Sequence, residues 1–131
     1  MIKDYRNIEL KYRTFILNIL IQLGLSPSCK GIYYLTDLIL LAIKYNDFID
    51  IDINLKELRE SLSNEKHISA KSIKSNIEYS IQYRNNGITK GNFKNLFNLD
   101  YDISFITTKS IISLILNLIY TTQLATPVKD S

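Results

Sequence analysis

Apolar residues recur at three- and four-residue spacings along almost the whole chain. Wound at about 100° per residue, Ile8, Tyr12, Phe15, Ile16, Ile19, Leu20 and Leu23 form one side of a helix that Gly24 stops. The segment LSPSC then turns the chain, and IYYLTDLILLAI, within Lys30 to Tyr45, is apolar enough to predict a helix central to the core, with Tyr33, Tyr34 and Leu35 in or beside it. Asp47 to Asn54 reads as a connection, and Leu55, Leu58 and Leu62 as the inward side of a short helix. SNEKHIS is polar and turn-like. In the stretch HISAKSIKSNIEYSIQYRNN that follows, Ala70, Ile73, Ile77, Ile81 and the stem of Arg84 share one side, with Ser69 as N-cap and Gly87 as stop. GITKGN reads as a loop, Phe93 to Leu99 as a short helix and Thr108 to Thr122 as the last. The expectation is an all-α single domain over residues 1–125, a bundle of about six helices, with a flexible tail at 126–131.

Composition places the chain among globular proteins, with 46% apolar and 22% charged residues in 131. The apolar runs Phe15 to Leu25 and Ile111 to Tyr120 are too short to span a bilayer, and Asn18 and Gln22 interrupt the first. No secretory leader is evident in MIKDYRNIELKYR. A cytoplasmic protein without a membrane anchor is expected. Cys29 has no second cysteine to pair with, which suits a reducing compartment and a role as a small packed residue.

The formal net charge of +3 is unevenly distributed. Residues 66 to 94 hold six cations (Lys66, Lys71, Lys74, Arg84, Lys90, Lys94) and one acid, Glu78, a balance of +5, while the segments on either side are each −1. A basic block around one helix is the electrostatic footprint of a phosphate-binding surface.

Other chemistry has little to be built from. DIDIN, Asp50 to Asn54, has the alternating oxygens of a calcium loop, but the sixth position is Leu55 and the twelfth Ser61, where glycine and glutamate are needed. GITKGN lacks the spacing of a phosphate loop. One histidine and one cysteine do not make a zinc site or a nucleophilic constellation. No enzyme activity, cofactor or metal is expected. His67 reads as a solvated turn residue, and Tyr79 and Tyr83 as a half-buried i, i+4 pair that also has the means to touch thymine methyls or phosphates.

A short helix, a polar turn and a longer helix between residues 55 and 86 have the order of a helix-turn-helix, whose second helix enters the major groove. On the outward arc of that second helix the candidate base-reading residues are Lys71, Ser72, Lys74, Ser75, Glu78, Tyr79 and Gln82, and the candidate phosphate contacts are Lys66, Arg84, Lys90 and Lys94. Double-stranded DNA is the expected partner. The rival expectation is a protein-interaction module acting on another regulator or on RNA polymerase.

KGIYYLTDLILLAI, Lys30 to Ile43, resembles the C-terminal DNA-binding domain of the stage zero sporulation protein A family of response regulators. The resemblance begins in the first helix with its LGLSPSCKG turn and continues through Ile73, Ile77, Ile81 and the Leu96-Phe97 pair, from about Ile16 to Tyr120. It implies a six-helix domain with a helix-turn-helix, promoter binding and contact with the sigma subunit of RNA polymerase; a homodimer on DNA is a further expectation. Three departures accompany it. The family's receiver domain has no counterpart in these residues, the SNEKHIS turn is about four residues longer, and the family's outward arginine, glutamate, arginine, arginine and histidine correspond to Ser72, Lys74, Ser75, Glu78 and Tyr79. Arginine forks on guanine are worth about 1–3 kcal/mol each in discrimination, so a DNA specificity different from the family's is expected.

Overall fold

The computed structural model describes the backbone of residues 2–45 and 54–125 and the side chains of 9–45 and 54–122. Six α-helices follow one another among these residues: α1 (Ile2–Gln22), α2 (Lys30–Tyr45), α3 (Leu55–Lys66), α4 (Ala70–Gln82), α5 (Asn86–Phe97) and α6 (Thr108–Ala125), with one 3₁₀ turn at Ile103–Phe105. The expected connection at 47–54 lies outside the described residues except for Asn54, and so does the tail after residue 125. No described helix is long and apolar enough to cross a membrane.

α2 is the hub. It packs against α1, α3, α4 and α6, and Ile32, Leu35, Leu38 and Ile39 are fully buried along it. The same cluster takes in Ile16 and Leu20 of α1, Leu62 of α3, Ile73, Ile77 and Ile81 of α4, Phe93 of α5 and Ile111, Ile112 and Ile115 of α6. Burying each such side chain is worth about 1.5–3 kcal/mol, so α4 is held by its isoleucine stripe and not by helix propensity.

α2 lies close against α4. A Cβ at Gly31 would overlap the backbone carbonyl of Asn76 and the hydroxyl of Ser80, so only glycine lets the two helix backbones meet there. Gly24 is the second such position. It ends α1 with φ +97°, a left-handed conformation, and its carbonyl accepts from the backbone N–H of Asn85 at 2.9 Å.

Four sequence expectations are corrected. SNEK does not turn: α3 continues through it to Lys66, and the turn shrinks to His67, Ile68 and Ser69, with His67 at φ 59° as the left-handed C-cap whose N–H reaches Ser63 O. Gly87 does not stop α4, which ends at Gln82 with Tyr83 as its cap. GITKGN is not a loop but the first half of α5, started by Asn85, whose side chain accepts from Ile88 N at 3.1 Å. Tyr33 stands 44% exposed, its hydroxyl donating to Pro27 O at 2.6 Å, while Leu35 is buried as expected.

Candidate nucleic-acid interface

α4 starts where Ser69 accepts from Ser72 N at 3.0 Å, and its 13 residues give a cylinder roughly 20 Å long. Ile73, Ile77 and Ile81 fix which arc faces inward. Lys71, Lys74, Ser75, Glu78, Tyr79 and Gln82 are therefore all exposed on the opposite arc, as the periodicity predicts. Ser72 stands apart from them. It is half-buried on the flank, its carbonyl and hydroxyl accepting from the Asn76 amide at 2.8 and 3.3 Å.

Tyr79 and Tyr83 do pack together one turn apart, with ring centroids 4.6 Å from each other and ring planes tilted by 43°. They are not half-buried, however, since 55% and 64% of their surfaces face solvent. The pair forms an exposed aromatic surface on and beside the outward arc of α4.

Packing redistributes the basic block. Lys66 Nζ lies 3.5 Å from Asp37 Oδ2, and Arg13 Nη1 lies 2.8 Å from Asp37 Oδ1, so this lysine helps to tie α3 to α2 and α1. Lys74 pairs with Glu78 at 3.2 Å, and Lys94 with Asp100 at 3.6 Å. Lys71 and Lys90 are exposed and form no ion pair with a described residue. Counting Asp37 and Asp100 with the block lowers its +5 to +3. The pairs are mostly exposed, and such pairs are worth about 0–1 kcal/mol, so a phosphate can displace them.

Arg84 departs from its expected phosphate role. Its Nη1 donates to Ile81 O and its Nη2 to Ile103 O, both at 2.7 Å, and Nε is buried with no protein partner. Burial lowers its pKa from the ordinary arginine value, and the guanidinium stays charged at neutral pH. Its work is to clamp the 3₁₀ turn onto the end of α4. Replacing Arg84 with methionine keeps the stem but removes both charged hydrogen bonds, leaving each carbonyl one long backbone donor at 3.4 Å, and should lower stability by about 1–3 kcal/mol in urea denaturation.

The clamp shapes a cleft of about 650 Å³ beside α4, between Glu78, Ile81 and Gln82 on one side and Asp102, Ile103 and Thr107 on the other. Asp102 caps the 3₁₀ turn, accepting from the Ser104 hydroxyl and N–H at 2.6 and 3.0 Å, and these bonds hold its carboxyl below the ordinary aspartate range.

α5 is anchored to the end of α1. Thr89 donates its hydroxyl to Leu23 O, and Asn92 Nδ2 donates to Gln22 O at 2.8 Å. Lys90 and Lys94 thereby sit on a helix fixed to the bundle and not on a loose loop, and nothing in residue spacing alone signals these cross-chain bonds. Cys29 is half-exposed and free, and His67 is exposed at the turn. Among the described residues no three His, Cys, Asp or Glu side chains converge to hold a metal ion. Compared with family models, with characterised proteins and with solved structures, the chain finds no match, so the assignment of a role rests on its own residues.

Proposed function

We propose that this protein binds double-stranded DNA as a helix-turn-helix transcription regulator, with α3 and the His67–Ser69 turn presenting α4 to the major groove. The observation that carries this reading is the outer arc of α4: Lys71, Lys74, Ser75, Glu78, Tyr79 and Gln82 lie exposed together on a helix whose inner arc is locked in the core. Lys71, Lys90 and the exchangeable Lys94 supply the positive charge, and the resemblance of Lys30 to Ile43 to sporulation-regulator DNA-binding domains agrees with it. The specificity differs from that family's, because no arginine stands on the arc.

Titrating a labelled random duplex with the full chain at rising salt tests the proposal. About two to three neutralised phosphates give a slope of log affinity against log salt of about −1.8 to −2.7, and Lys71→Ala should reduce it by about one. A second reading, a module docking another regulator or the sigma subunit of RNA polymerase, is favoured by the exposed Tyr79 and Tyr83 pair. Absence of duplex binding at low salt would overturn the first reading in favour of the second.

A further inference from the structure

Glu78 is the residue of the arc that DNA accommodates least well, since a lone carboxylate is repelled by phosphates. It is not alone. Lys74 Nζ lies 3.2 Å from Glu78 Oε2 one helical turn away, and both side chains are about half exposed, at 50% and 55%. The two form a neutral unit that offers a donor and an acceptor side by side at the surface.

The major-groove edge of a G·C pair offers the complementary arrangement. Guanine O6 accepts and cytosine N4–H2 donates, and because these atoms are hydrogen-bonded to each other they lie about 2.9–3.0 Å apart. The spacing within the ion pair matches that of the edge. Guanine N7 lies next to O6, so the ammonium faces two adjacent acceptors. An A·T pair places its amino group between N7 and O4, so an ammonium beside the carboxylate finds one acceptor at a time, and the thymine methyl crowds the edge beyond O4.

Resting on the duplex-binding reading above, we propose that the Lys74–Glu78 ion pair acts as one reading element for a single G·C base pair, Lys74 donating to guanine O6 and N7 while Glu78 accepts from cytosine N4–H2. A carboxylate that opposes nonspecific binding thereby becomes a source of selectivity. Tied to Lys74, it meets an amino group beside two adjacent acceptors for the ammonium only at a cytosine paired with guanine.

Selection from a random duplex pool at low salt tests this with the wild-type chain, Glu78→Gln and Lys74→Ala. Both side chains are half exposed, so thermal melts of the three proteins should nearly overlay. The wild type should enrich G·C at one position by about tenfold over A·T. Glu78→Gln should move that position toward A·T, because a glutamine amide pairs with adenine N6 and N7, and Lys74→Ala should flatten it. Pool binding by all three proteins with no position that responds to either substitution overturns the ion-pair reading and leaves duplex binding standing. No pool binding by the wild type overturns both.

Discussion

Gly31→Ala should destabilise the protein by about 2–4 kcal/mol, although helix propensity alone would favour alanine by about 1 kcal/mol. The two effects have opposite signs, so the experiment decides between them. Gly31 lies in the first turn of α2, and its missing Cβ is the space filled by the Asn76 carbonyl and the Ser80 hydroxyl of α4. A backbone carbonyl cannot swing aside as a side-chain end can, so accommodating a methyl group means moving α4 away from α2. Ser80 Oγ is already buried without a hydrogen-bond partner, which leaves no spare room or bond to compensate. Urea denaturation followed by circular dichroism measures the change. An alanine variant as stable as the wild type, or more so, would mean that the α2–α4 crossing is looser than described.

Ile77→Asp should cost more than 4 kcal/mol and leave the chain largely unfolded at 25 °C. Ile77 is 1% exposed at the centre of the α4 stripe, between Ile73 and Ile81, and the described side chains around it in the cluster are apolar. The aspartate would enter either as a charge without a partner or as a protonated acid without a hydrogen bond. Ile77→Val, which removes one methylene from the same site, provides the scale, with an expected loss of about 1 kcal/mol. The pair separates a charge effect from a volume effect. A far-UV spectrum and melting temperature for Ile77→Asp equal to those of the wild type would show that α4 presents a different arc to the core.

These two positions also show what residue order reveals and what it leaves out. The stripe Ile73, Ile77, Ile81 and the Ser69 cap were legible because both depend on residues within a turn or two of each other. Gly31 was legible as part of a resemblance but not as a contact, since its partners lie on another helix. α5 was misread because Gly87 and Gly91 are poor helix formers, and the bonds that secure the helix come from Leu23 and Gln22 at the far end of α1. The basic block looked stronger in sequence than in space for the same reason: Asp37 and Asp100 lie outside the charged window, and Arg84 spends its fork on carbonyls. Local periodicity predicts which arc of a helix is buried; it does not predict which distant acceptor a cation will find.

The last turn of α3, Ser63 to Lys66, carries no apolar residue and lies beyond Leu62, the final side chain that this helix buries. Its contacts are polar: Lys66 reaches Asp37 of α2, and Ser63 O accepts from the N–H of His67. Adding or removing a whole turn there shifts the His67–Ser69 corner by about 5.4 Å along the α3 axis while nearly restoring its angular phase, because 3.6 residues complete a revolution. A length change of three or four residues at this point would nearly keep the direction in which the chain leaves α3 but carry the corner about one turn away from the place where Asn76 meets Gly31, whereas a change of two would swing the exit by roughly 200°. The length of α3 is therefore a ruler: it sets where along α2 the next helix docks, and any insertion in its last turn has to be taken up by the His67–Ser69 corner if Gly31 is to keep its seat against α4.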